Sequence, residues 1–596
     1  KITFFGNTVK LNDLIGEDSL TTLDWLNNFN HVASDANVKS ALENGLNFTV
    51  SSVSYPDAII YPLIAHSQQY IYDDTSNHDS GLNISYGNTA NRGKRGVFPE
   101  DLKPAILIKH IVKAIGEKYG FTFKSSEFFD SANVSNLYMW LHRVKGKMVA
   151  PNFKLINDAA FTCNSSATVC NHFSSGSPPS FNGGVYTFSD NNTGGEPEGF
   201  SYTTQVTPTV GTTIYTLEII NEVTGEILAT KEDVTGTQSV AISLGFSTPN
   251  PITQSEAFTL TTRVKSNSTL QFGVEIDCEH FVFNSSTQTY DTFAGNFTSN
   301  SSTISTAADV NITDQVPDIK ILDFLNGIFK MFNLTSYIDF NGEIVVRRLD
   351  DYFAGGETHD ITEYIKTDTH SVGKTIPYSE IDLEYAEPKS ILAQRFFNTN
   401  NRKYGEVEYK TDLTDNKIYK VTAPFEHMLF SRLSDLTSNA FTDVQTGCFL
   451  DEELNPSIGQ PLLFYGIQRT SISDTINFVY NTRPDTYGAL ASSNSTDIFE
   501  LSNYFMPHHA NELGSVGTAP TYNLNFGSEI DTYNLTDYAG QNNSLFLKNY
   551  QNYITRVYNK KTRLYRYSAI LPLKILLQLT LDDKVIVGTR IFTINS

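Results

Sequence analysis

Cysteine, tryptophan, charge and long apolar runs are all scarce in this sequence. Four cysteines in 596 residues, Cys163, Cys170, Cys278 and Cys448, are too few for a disulfide framework. Cys163 and Cys170 could close one local loop, but free thiols are the expected state. The longest apolar stretches, Ala58–Ala65 and Ala569–Leu577, are broken by Pro62 and by Pro572 with Lys574. Both stop well short of the ~18 residues that a membrane-spanning helix requires. The sequence starts at Lys1, as a trimmed chain would, and no signal-peptide pattern is read after it. Charged residues are only 18% of the chain, yet the formal net charge is −22. An acidic surface repels phosphate backbones, so direct nucleic-acid binding is not expected.

Signature motifs of chemistry are equally scarce. There is no Gly-rich phosphate loop with Lys-Ser/Thr, no His-Glu-x-x-His, no Gly-x-Ser-x-Gly and no Cys-x-x-Cys. Weaker constellations remain. Cys163, Cys170 and His172 are three soft metal ligands, but structural zinc takes four at shorter pair spacings. His508-His509 follows Met506-Pro507. Neighbours on a strand face opposite ways, which suits no shared metal, so a surface loop is expected. The acid pairs Asp350-Asp351, Glu452-Glu453 and Asp582-Asp583 raise glycoside hydrolysis, which needs two carboxyls ~5–10 Å apart across a cleft. Adjacent acids are more simply solvated turns. Arg92-Gly-Lys-Arg95 stands out as a basic cluster and reads as an exposed loop or a contact for an acidic neighbour. No catalytic, cofactor-binding or metal-binding residue is therefore assigned, and neither enzyme activity nor a cofactor is expected.

What is present is core and strand material. Hydrophobic residues make up 40% and aromatics 12%, with 40 Phe and 31 Tyr against 2 Trp. Aromatic and β-branched residues suit pleated, half-buried surfaces, so strands should dominate. The length exceeds the ~250–300 residues at which one core stops growing, so three or more domains are expected. Asn, Ser and Thr supply most of the polarity, giving a hydrogen-bonding surface suited to permanent assembly or sugar contact. Asn-x-Ser/Thr triplets at Asn47, Asn83, Asn267, Asn296, Asn333 and Asn534 read as by-products of that composition rather than glycosylation sites.

Two segments resemble each other. With Ile108 set against Ile321, Ile111 meets Phe324, Val112 meets Leu325, Ile115 meets Ile328 and Tyr119 meets Phe332. The spacing i, i+3, i+4, i+7, i+11 is one stripe of an amphipathic helix. Gly120 and Asn333 follow, residues that tolerate the left-handed helix stop. Each stop leads into an extended run, Phe121–Phe123 and Leu334–Ile338. The second run turns through Asn341-Gly342 into Glu343–Leu349, a hairpin signal. The shared period, stop and strand predict a duplicated unit, against coincidence between two common amphipathic helices. Each helix is expected to bury its stripe against a barrel.

Between the copies, residues 157–309 are rich in Ser, Thr, Asn and Gly. Alternating runs at Thr213–Ile220, Glu226–Ala229, Val240–Leu244, Phe258–Val264 and Leu270–Ile276 predict an inserted antiparallel sandwich. A helix is expected over Leu545–Val557, and a tight hairpin at Gly588-Thr589. The domain reading is 1–156 as a first β domain with the helix at 102–119, 157–309 as the insertion, 310–365 as the second helix–strand–hairpin unit, and 366–596 as the remainder. The fold class is mainly β with a few short helices.

Leu102–Ala105 with Ile111–Phe123, Phe128-Phe129 and Leu137–Leu141 resemble a pattern in structural proteins of phages that infect Bacteroidetes. So do Pro317–Leu334, Gly342–Val346, Leu349–Phe353 and the ending Val585–Asn595. These segments cover about a quarter of the chain. The related functional class is the tail hub or baseplate hub of tailed phages. That resemblance implies two related β-barrel domains in one chain with other domains inserted between them. It implies a virion tail location and no catalytic residues. It implies as partners other copies of the chain, as a trimer, with tail tube and tip or fibre proteins. The alternatives are a receptor-binding tail protein that grips host surface glycan and a virion-borne glycan hydrolase.

Overall fold

The computed structural model describes residues 14–144 and 309–594, apart from 34, 74–80, 86–95, 98–100, 375–377, 414–416, 475, 480–497, 515–517 and 535–542, together with strands and turns between 152 and 304. Strand outweighs helix, 41% against 23%, so the expected mainly β class holds.

The first half of the body is β1 (Leu46–Val50), β2 (Val53–Ile60), β3 (Ala105–Leu107), α1 (Ile108–Tyr119) and β4 (Leu137–Trp140). The second unit is α2 (Ile321–Phe332), β5 (Leu334–Ile338) and β6 (Ile344–Arg348). Further on come β7 (Leu463–Arg469) and β8 (Tyr504–His508). An antiparallel sheet runs in the order β1-β2-β3-β4-β7-β8. Its centre is buried on both faces: all four residues of β4 are buried, Trp140 completely. Such strands read as continuous apolar runs, as Leu137-Tyr-Met-Trp140 does. Strands from residues 1–156 and from 366–596 thus share one sheet, and one core extends from Ile15 to Tyr558. None of the described sheets closes into a barrel. Closure requires the first and last strands of a sheet to pair, and β1 and β8 stand at opposite ends of this order.

Both helices form where the period predicts. Each begins after a residue in polyproline-like backbone, Leu107 at φ −59°, ψ 131° and Lys320 at φ −60°, ψ 140°, four positions after Pro104 and Pro317 set the start. Each ends on a left-handed residue, Gly120 at φ 72° and Asn333 at φ 49°. Ile108, Ile111 and Ile115 are fully buried, as are Ile321, Phe324 and Ile328, while Phe332 is 1% exposed. Tyr119 is only partly buried, because its hydroxyl reaches Asp18. The neighbours differ. The first helix packs on the 3-10 turn Asp24–Phe29 and on β3 and β4, the second on Ile418–Ala423 and β5. Helix form and caps are therefore shared and surroundings are not, so the expected burial of each stripe against a like barrel is not seen among the described residues, and the likeness is confined to the helices and their stops.

The strands between 152 and 304 make two antiparallel sheets. One orders Phe161–Cys163, Thr289–Ile304, Leu270–Asn284, Glu198–Pro208 and Val240–Gly245. The other contains Ser180–Asn182, Val185–Phe188, Phe258–Ser266, Tyr215–Asn221 and Ile227–Val234, with Asn152–Lys154 joined to Phe258–Ser266. Both sheets feed one cluster, in which Tyr202, Phe272 and Ile276 of the first meet Leu217, Ile219 and Leu260 of the second. Near the end, a π turn at Phe546–Tyr550 runs into the helix Gln551–Val557, over the expected range.

Candidate functional site

The two helix units meet on β6. One edge of β6 pairs antiparallel with β5, from Leu334↔Arg348 to Ile338↔Ile344. The other edge takes the run after the first helix: the Ile344 amide donates to the Thr122 carbonyl and the Lys124 amide to the Ile344 carbonyl, both at 2.8 Å. Phe123 runs parallel to β6 there. The two runs that follow the helices therefore flank one strand and point in opposite directions.

Charge closes the same junction. Lys124 Nζ lies 2.8 Å from Asp339 Oδ2, and Asp339 Oδ1 accepts the amides of Asn341 and Glu343. Lys124 holds the Asp339 carboxyl below the usual range. Arg347 grips Glu127 through two donors at 2.8 and 2.5 Å and holds that carboxyl low as well. Beneath them Phe128 rests on Phe332, ring centres 5.0 Å apart. The N-terminal segment adds a second tie. The Asp18 carboxylate takes Lys118 and the Tyr119 hydroxyl, each at 2.7 Å, at the end of α1. Its carbonyl accepts the Ile321 amide at the start of α2.

A cleft of about 470 Å³ opens beside the first helix, with Tyr55, Lys109, His110, Lys113, Glu117 and Lys124 among its walls. The His110 ring stacks on Phe29 at 5.0 Å, and its buried Nε2 has no hydrogen-bond partner among the described residues. Burial and the nearby Lys109 and Lys113 push it down to about 3, so it is a neutral imidazole. This mixture of charges offers a polar hollow rather than a paired acid and base.

The constellations noted in the sequence do not converge. His508 and His509 are buried, 2% and 3% exposed, not in a surface loop, because β8 packs into the core. Their rings do diverge: His508 faces Asp531, while His509 Nε2 bonds the Met428 carbonyl at 2.7 Å. Asp350 and Asp351 open the short helix Leu349–Gly355, where Asp351 pairs with Arg348. Glu452 meets Asn398 in an exposed turn. Asp583 is not a solvated turn residue. It is 3% exposed and accepts the Glu357 and Thr580 amides. Cys448 is a free thiol, its pKa pushed up to about 11 by burial. Cys170, His172 and Arg92–Arg95, and the side chain of Cys163, lie outside the described residues. Among the described residues no group of three or more His, Cys, Asp or Glu is placed to hold a metal ion. No helix among them is long and apolar enough to cross a membrane.

No family model matches the chain, and no curated protein matches it. Among solved structures, one similar chain comes from the structure of infectious bursal disease virus, Gx strain, at 9% identity. That match covers 49% of this chain and 81% of the other, with a TM-score of 0.12, too low to indicate a shared fold.

Proposed function

We propose that this protein is a structural component of a phage tail tip or baseplate, a hub or adaptor between the tail tube and the tip or fibre proteins. The observation that supports it best is the junction on β6. Two helices with matching stripes and matching left-handed stops lead into runs that flank one strand, the second as the paired strand β5 and the first through a single bridge at Phe123. Segments that resemble phage tail proteins, Ile111–Phe123, Phe128-Phe129, Pro317–Leu334 and Gly342–Val346, contribute to this junction. In this reading each helix with its flanking strands derives from one of two related hub-type β-barrel domains, and the strands at 152–304 form an inserted sandwich. The partners are copies of the chain, as a trimer, together with tail proteins, and the location is the virion.

A second reading, contact with host surface glycan, is favoured by Phe340. It is 95% exposed on the hairpin tip beside Asn341, an aromatic platform next to an amide. Imaging of assembled particles carrying a labelled chain tests the main proposal. Density on the tail axis at the tube end is expected. A peripheral position would favour the glycan reading, and absence from the tail would overturn both.

A further inference from the structure

Residues 357–374 and 560–594 form an arm with almost no core of its own. It comprises a two-stranded ribbon, Ile365–Lys374 with Arg563–Ala569, and a small sheet of Thr358–Asp360, Lys584–Val587 and Arg590–Thr593. Between these lies the short helix Leu573–Gln578, which buries nothing. Among the described residues of the arm, Ile361 is the one buried large apolar side chain. Ordering a residue costs on the order of 1–2 kcal/mol of backbone entropy, which apolar burial must offset. This arm leaves that burial undone.

Instead its apolar side chains face out. Val372, Ile570, Leu573, Leu577, Leu581 and Ile591 are all 53–76% exposed. Leu573 and Leu577 stand four apart on one helix face.

Charge indicates what covers it. The arm carries nine Lys or Arg against six Asp or Glu, a formal +3 in a chain of −22, which leaves −25 for the remainder. Part of that negative charge is gathered on the outer face of the sheet formed by Val407–Lys410, Glu380–Tyr385 and Ile418–Ala423. There Asp382 stands directly across from Glu408, and Glu380, two positions away, stands across from Lys410. Like charges opposed across strands destabilise a sheet. Lys420, on the other side of Asp382, is engaged by Glu384 at 3.0 Å. Exposed Ile418 borders this face.

We propose that the arm docks on a second copy of the chain, laying Leu573, Leu577 and the basic residues Arg566 and Lys574 over the acidic Glu380–Asp382–Glu408 face. An arm of one copy on a face of the next is a heterologous contact, which forms a ring where the rotation between copies closes. This inference rests on the proposed assembly role and names its surface.

The test uses the full chain. Leu573→Asp with Leu577→Asp changes only exposed side chains, so the melting temperature should stay within a few degrees. Self-association, measured by native mass and sedimentation, should weaken at least tenfold. Glu380→Lys with Glu408→Lys should weaken it similarly, and added salt should weaken the wild type. Association unchanged in both double variants would overturn the arm contact, as would a wild-type chain that is monomeric both alone and in the particle. So would variants that still self-associate but no longer enter tails, since the arm would then face another tail protein. A wild-type chain that associates through the arm but is missing from tails would overturn the hub reading and leave the arm contact standing.

Discussion

Lys124 and Asp339 meet at 2.8 Å although 215 residues separate them. The pair joins the run after the first helix to the hairpin after the second. Asp339 also accepts two amides of its own turn, so it fixes hairpin shape and junction together. Asp339→Asn should free the Ile344 and Lys124 amides to exchange faster than in the wild type, measured by hydrogen exchange. Lys124→Met should have the smaller effect, because the turn amides keep their acceptor. Equal protection in both variants would refute the coupling. Acid should act the same way. The Asp339 pKa is depressed by Lys124, so its contribution is complete above the ordinary carboxylate pKa and is lost as pH falls through the lower folded value.

The helix stripes predict stability directly. Ile115→Ala and Ile328→Ala each empty a fully buried site and should cost about 2–5 kcal/mol in denaturant unfolding. Lys113→Ala lies off the stripe. It loses an exposed pair with Glu117 and should cost no more than about 0.5 kcal/mol.

Two helix glycines, one at a stop and one inside a helix, give a second contrast. Gly120 has φ 72° with open space where a Cβ would sit, so Gly120→Ala meets backbone strain alone, about 1–2 kcal/mol. At Gly327 a Cβ would stand 2.6 Å from the Phe425 ring, so Gly327→Ala should destabilise through a clash within the core. Comparison of their thermal midpoints, with Gly327→Ala the lower, checks the assignment.

Buried imidazoles predict a pH limit. Burial lowers His110 and His142 to about 3 and His427 to about 4, and pushes His509 well below its ordinary value. The unfolded chain then binds more protons than the folded one once pH falls below ~6.5, and stability declines from there toward pH 4. The thermal midpoint should drop across that window, and His427→Asn with His509→Gln should flatten the slope. A midpoint unchanged between pH 7 and pH 4.5 would contradict this.

Features written in local spacing were legible in the sequence. The stripes of Ile108–Tyr119 and Ile321–Phe332, their stops at Gly120 and Asn333, and strands at Tyr215–Asn221, Ile227–Val234, Val240–Gly245, Phe258–Ser266 and Leu270–Asn284 appear where period and turn chemistry place them. Features that depend on distant partners were not. Asp18 sits in an unpatterned segment, yet ties both helices. Asp583 resembles a surface turn because one of its ligands, the Glu357 amide, lies 226 residues away. His508 and His509 look like loop residues beside Pro507, but long-range packing of β8 buries them. The sheet order is hidden for the same reason, since β4 pairs with a strand more than 300 residues later.

That pairing sets a clock on synthesis. Met139 in β4 leaves the ribosome 324 residues ahead of its partner Leu463. At roughly 5–20 residues per second, the edge of β4 waits on the order of 15–60 s for β7. During that interval the strands at 152–304, with a cluster of their own, can already fold, while the half-built sheet offers an apolar edge to any neighbouring strand. The nascent chain is therefore most exposed to misassembly on polysomes, where copies at the same stage crowd together, and a chaperone that holds the first 140 residues would act before any partner subunit can.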